Sequence, residues 1–258
     1  MSNHETDGGG ISRLTLLAFA LTAGAVVAAV LSGFGFRWQW WGLGSAFGTL
    51  KWSVYAAGIG LLLTIAAALR ADGERPKSDG FALFVIAAVI GLALPSYVLN
   101  WVAVARSVPP IHDVSTNIDN PPAFTTLAAR KDLRVPARRP ELKKLTDAQR
   151  LVIYQRESYS DIRPLHLDIT VSAATTRARD IAAGRGWEIA AFDADGGRLE
   201  ATFTSRWYGF RDDVVVVVSA DKGGSVVNMR SVSRIGTSDI GQNAKRIRGF
   251  LAAMASGD

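Results

Sequence analysis

Hydrophobic and polar positions follow two different rhythms along this chain, and the change comes near residue 107. Before it lie three runs with no charged residue, at residues 14–31, 52–69 and 81–105. Arg13 precedes the first, Lys51 and Arg70 bound the second, and Asp79 and Arg106 bound the third. Roughly 20 apolar residues rising 1.5 Å each cross the hydrocarbon of a bilayer. A charge at the centre of such a run costs on the order of 3 kcal/mol, whereas each Leu, Ile, Val or Phe gains a few tenths. The three runs therefore predict three membrane-spanning helices. The first is longer than the roughly 7–15 apolar residues of a signal peptide and has only Arg13 before it, so it reads as a span.

Phe34, Phe36, Trp38, Trp40 and Trp41 lie between the first two runs, where aromatic rings settle at headgroup level with their polar edges wet. Pro95 and Asn100 interrupt the third run and predict a kink and a helix–helix hydrogen bond. Asp, Glu and His are missing from all three runs, which argues against proton- or ion-coupled transport.

Behind the runs the pattern changes. Pro109, Pro110, Pro121 and Pro122, with Asn117, Asp119 and Asn120, predict an extended tether over 107–124. From Arg163 the chain alternates: Leu165, Leu167, Ile169 and Val171 fall on one face and His166, Asp168 and Thr170 on the other, a half-buried strand. Ser172 is placed to cap a helix with Ala174, Ala178, Ile181 and Ala182 on one stripe and Gly184 and Gly186 as its stop. Strands are expected at 187–192 and 198–204, joined by Asp195, Gly196 and Gly197. A second hairpin, 213–220 with 226–234, turns at Lys222, Gly223 and Gly224, and its five consecutive valines predict a strand covered on both faces. A last helix starting near Ser238 would place Ile240, Ala244, Ile247, Leu251 and Met254 on one stripe.

The expected architecture is a three-span membrane α-helical region (1–106), a proline-rich and basic tether (107–162), and a soluble α+β domain (163–258). That domain would be an antiparallel sheet with two helices on one face, similar in layout to helix-grip domains.

Composition adds limits. The chain carries 29 Lys/Arg against 23 Asp/Glu over 258 residues, a net +6, but residues 1–112 hold only 7 and 5 of these. With no cysteine and only His4, His112 and His166, thiolate chemistry is excluded and a histidine-based triad or metal site has no ligand spacing to build on. No metal, cofactor or catalytic residue is expected. Arg13, Arg70, Arg75 and Lys77 share one side of the membrane; Arg37, Lys51 and Arg106 share the other, and no Lys or Arg follows from 107 to 129. Positive-inside bias then directs the soluble domain outward, towards a periplasm. The eight basic residues of 130–150 would reverse that count in a wider window.

Several motifs carry a resemblance. They are Pro109-Pro110-Ile111-His112-Asp113, Asn120-Pro121-Pro122-Ala123-Phe124, Tyr159-Ser160-Asp161-Ile162 and Trp207-Tyr208-Gly209-Phe210-Arg211-Asp212-Asp213. To these add Arg230-Ser231-Val232-Ser233-Arg234-Ile235-Gly236, Ser238-Asp239-Ile240-Gly241 and Asn243-Ala244-Lys245-Arg246-Ile247. From about residue 109 onward the chain resembles the domain of unknown function 1499 family, though Thr237 stands where that family more often has a basic residue. The resemblance implies a bacterial or plastid-linked, often membrane-anchored protein with no assigned activity.

Candidate binding residues are accordingly chosen by chemistry. Arg198, Asn228, Arg230 and Arg234, with Glu200 and Thr202, are expected on the sheet face away from the helices, where guanidinium forks suit carboxylates or phosphates. Trp207, Tyr208 and Phe210 form an aromatic loop. Asp213, Ser231, Ser238, Asp239, Asn243 and Arg246 complete the set, with Ser238 and Asp239 expected as a helix cap. The expected partners are membrane lipid and an envelope protein, not nucleic acid. The reading is a non-enzymatic protein- or lipid-binding module; the alternative is an enzyme on an envelope substrate using Asp161, Asp213, Ser231 or Asp239.

Overall fold

A computed structural model describes residues 11–70, 78–128, 130 and 132–257; Arg75, Lys77, Lys131 and His4 lie outside the described residues. The chain forms two compact units, one of Met1–Val102 with Trp207–Gly209, the other of Ala103–Arg206 with Phe210–Asp258.

The first unit contains α1 (Arg13–Arg37), α2 (Leu43–Arg70) and most of α3 (Ser78–Ser107). All three are long and apolar enough to cross a membrane. Because lipid is as apolar as a leucine side chain, such helices associate through close packing of small residues. On α1 the buried positions include Thr15, Ala18, Thr22, Ala25, Ala29 and Ser32, alternately three and four apart; on α2 they are Ala46, Ser53, Ala57, Gly60 and Thr64. The backbones approach so closely that a Cβ at Gly60 would lie 2.4 Å from Thr22 Cγ2. The hydroxyls in this seam donate back to their own helices, Thr22 to the Ala18 carbonyl and Thr64 to the Gly60 carbonyl. Helix α3 continues through Pro95. Trp207 and Tyr208 belong to this unit, the indole donating to the Val30 carbonyl (2.9 Å) and the phenol sharing a hydrogen bond with Ser32 Oγ (3.0 Å).

The second unit is built on a six-stranded antiparallel sheet. Strands β3 (Glu188–Asp193), β4 (Arg198–Thr204), β5 (Arg211–Asp221) and β6 (Gly224–Ser233) are consecutive neighbours. The free edge of β6 takes two short strands, β1 (Asp113–Ser115) and β2 (Leu165–Leu167), one beyond the other. Register pairs Leu199 with Val216 and Val216 with Met229, so these point to one face. There they meet Ala174, Ala178 and Ala182 of α5 (Val171–Gly184) and Ala244, Ile247, Phe250 and Met254 of α6 (Gln242–Ser256), all buried. The expected antiparallel sheet with helices α5 and α6 on one face is the observed one, and it is open.

Four details differ from the sequence reading. The strand expected from Arg163 to Val171 stops at Leu167, because Thr170 turns out and caps α5 with its Oγ1 accepting from Ala173 N (3.2 Å), the role assigned to Ser172. Helix α6 begins at Gln242, since Gly236, Ile240 and Gly241 have positive φ and hold 236–241 as a turn. Helix α4 (Asp147–Ser158) was not expected, although Thr146 and Gln149 form a capping box at its start. The segment read as a tether is folded: residues 109–116 are buried, and β1 lies within it.

Gly197 illustrates how tightly the β3–β4 turn is closed. Its φ is +67°, and a Cβ there would lie 2.0 Å from the Val218 carbonyl oxygen. Gly197→Ala should cost about 2–3 kcal/mol and lower the Tm of the detergent-solubilised protein by roughly 5–10 °C. Gly184→Ala, in helix α5 with open space around it, should leave Tm unchanged or raise it by a few degrees; equal melting of both variants would contradict this reading.

Candidate functional site

The outer sheet face carries the arginines that the alternation placed there, but the chain between β1 and α4 lies across it. Glu200 on β4 is fully buried. Its Oε1 accepts from Thr125 N (2.7 Å) and Thr125 Oγ1 (2.9 Å), and its Oε2 from Thr126 N (3.0 Å) and Leu127 N (2.7 Å). Arg198 donates to the same carboxylate through Nε and Nη2, and also to the Ala123 carbonyl. Burial alone would raise the pKa of Glu200, but the Leu127 and Thr125 amides and the Arg198 guanidinium outweigh it and hold the pKa at about 2. Arg230 forks onto Asp113 (2.9 and 2.6 Å), reaches the Pro122 carbonyl and lies over the Phe124 ring. Asn228 pairs with Thr116, and Arg234 with Asp213 and Thr202. The guanidinium forks expected to meet an external anion thus meet carboxylates and carbonyls of this chain.

A second polar cluster sits on the helix side, at the end of an otherwise apolar interface. Ser231 Oγ donates to Asn243 Oδ1 (2.7 Å) and accepts from Arg246 Nη1 (2.9 Å). Arg246 also bonds Asn243 Oδ1 and Asp212 Oδ2 and stacks on Phe203. Asn243 Nδ2 ties the His112 carbonyl (3.0 Å) and Ser233 Oγ (3.1 Å) together. Asp239 accepts from Gly241 N (2.8 Å) and Asn243 N (2.7 Å), satisfying amides at the start of α6. Burial pushes the pKa of Asp239 up to about 6 against the pull of those amides, with Asp212 adding repulsion. Beside it the buried Tyr159 hydroxyl has no partner among the described residues, and burial pushes its pKa up to about 12. His112 Nδ1 is likewise unpartnered there, and burial, with Arg130 nearby, lowers the His112 pKa.

The sequence profile of a family described as a protein of unknown function, DUF1499, matches residues 113–254. The chain belongs to the DUF1499 family. No curated protein matches it. The matched DUF1499 segment begins at Asp113, the partner of Arg230, and spans both polar clusters.

Within the DUF1499 region the candidates separate into groups. Arg198, Asp213, Asn228, Arg230 and Arg234 share the outer face; Ser231, Asp239, Asn243 and Arg246 share the helix-side cluster, and Ser238 Oγ accepts from Ile240 N in the turn before α6. Trp207 and Tyr208 group with the helical unit, while Phe210 closes the β4–β5 loop by exchanging hydrogen bonds with Ser205. Asp161, the other enzymatic candidate, is forked by Arg248 (2.5 and 2.7 Å). Sequence reasoning missed Asp113, Asp212 and the 125–127 amides as partners of these residues; no local pattern announces a contact across 75 residues. Among the described residues no group of three His, Asp or Glu side chains is placed to hold a metal.

Because the folded pKa of Glu200 lies below its ordinary 4.5, its contribution to stability is complete above that pH and is lost as pH falls from about 4.5 to 2. Glu200→Gln should flatten the acid limb of a stability-versus-pH curve measured by urea unfolding, while lowering stability at pH 7 by about 3 kcal/mol. An unchanged acid limb would show that Glu200 does not hold the segment in solution.

Proposed function

We propose that the protein is a membrane-anchored, non-catalytic binding module that engages anionic lipid headgroups where α3 leaves the bilayer. One observation carries this: the cations of 130–150 divide into those used inside the fold and those left exposed in or beside a loop that is tied to the end of α3. Arg150 donates to the carbonyls of Val135 (2.6 Å), Leu142 (3.2 Å) and Leu145 (2.5 Å) and closes 135–145 into a loop. Arg138, in that loop, donates to the carbonyls of Ala105 (3.0 Å), Arg106 (3.3 Å) and Val108 (2.7 Å), where its charge also meets the negative end of the α3 dipole. The loop is thereby pinned to the exit of the third span.

Arg106, Lys143 and Lys144 are exposed and have no carboxylate partner among the described residues, and Arg134 is 74% exposed with only a 3.8 Å approach to Asp132. A juxtamembrane cation near anionic lipid is worth about 1 kcal/mol. On this reading the protein sits in a bacterial inner membrane with the DUF1499 domain on the periplasmic side: the distribution of Lys and Arg around the apolar helices supports the orientation, and the family resemblance supports the bacterial membrane. A catalytic reading has one feature in its favour, the raised pKa of Asp239 beside the unpartnered Tyr159 hydroxyl.

Lipid retained by the protein after extraction in mild detergent tests the proposal. Lys143→Gln, Lys144→Gln and Arg134→Gln should each lower the retained anionic phospholipid about fivefold, without changing retained zwitterionic lipid. Equal retention in all variants would overturn it.

A further inference from the structure

A groove of about 990 Å³ in the second unit is on neither polar cluster but runs between α5 and α6. The helices are antiparallel there, since Arg177 reaches Met254 and, further along α5, Arg185 reaches Gly249. Arg177 Nη1 donates to the Met254 carbonyl (2.9 Å) and Arg185 Nη2 to the Gly249 carbonyl (2.7 Å). Arg185 also lies over the Phe250 ring. Each guanidinium has five N–H donors, so each is held in place by one arm with others left to face the groove. Eight residues of α5 separate them, about 12 Å at 1.5 Å per residue. Asp180 on the rim has its charge met by Arg179 (2.7 and 2.9 Å). Gly184, Ala253 and Thr176 also line the groove, and side chains this small admit the backbone of a ligand.

We propose that this groove binds an acidic peptide segment of another protein, with two carboxylates spanning Arg177 and Arg185. An extended chain advances about 3.3 Å per residue, so acidic residues four apart match the spacing of the two arginines. A trough with separated, pre-oriented guanidinium forks suits such a chain, since the forks bind carboxylates bidentately and the ordering cost at the site has already been met. This site is separate from the lipid-facing loop and does not depend on it.

The test uses the full chain in detergent and a fluorescent peptide with two glutamates four residues apart, read by anisotropy. The expected result is binding that weakens with salt, falls more than tenfold in Arg177→Gln/Arg185→Gln, and is unchanged in Lys143→Gln/Lys144→Gln. Because the arginines also tie α5 to α6, Thr176→Glu serves as a second variant: it puts a like charge in the trough without removing a tie, and should abolish binding while leaving Tm unchanged. A peptide with its glutamates two apart should bind at least fivefold more weakly. The proposal is overturned if Thr176→Glu binds as the wild type does, if both peptides bind equally, or if anionic vesicles displace the peptide from the groove.

Discussion

Glu200 is a carboxylate with no access to water, and most of the outer sheet face is arranged by that fact. A buried charge is tolerated only when opposite charge and hydrogen bonds replace its hydration. Here the replacement comes from the amides of Thr125, Thr126 and Leu127, the Thr125 hydroxyl and Arg198. Three of those donors are backbone groups on a segment without regular secondary structure, so satisfying the carboxylate fixes the path of the chain. The Arg230–Asp113 fork and the Thr116–Asn228 contact then hold the start of the same segment on β6.

The helix side of the sheet obeys the same constraint in a different setting. Valines, alanines and Met229 fill most of the interface, and the polar side chains of Ser231, Asn243, Arg246 and Asp212 gather at one end. Grouped there, they satisfy one another and bind the His112 carbonyl, so the strand edge, the start of α6 and the segment that follows α3 meet in one network.

Period was legible in the sequence and partnership was not. The five valines and the glycine turn at 222–224 revealed the β5–β6 hairpin, and the alternation on β4 correctly placed Arg198, Glu200 and Thr202 on the face opposite the helices. Charge-free length revealed three helices long and apolar enough to cross a membrane. What that reading could not show was that Glu200 would be met by amides 73–75 residues away. The prolines of 107–124 suggested a free tether because proline removes donors; the same property suits an extended strap whose remaining polar groups find partners on the sheet. Helix α4 escaped notice because its buried face is narrow, chiefly Leu151 and Tyr154, within a strongly polar stretch.

Amide hydrogen exchange at Thr125, Thr126 and Leu127 tests most directly whether this carboxylate organises the outer face. With the carboxylate as their acceptor, the three amides should exchange as slowly as those of β4 in the wild-type protein, and become fast together in Glu200→Ala while β5 and β6 stay protected. Fast exchange of the three in the wild-type protein would contradict it.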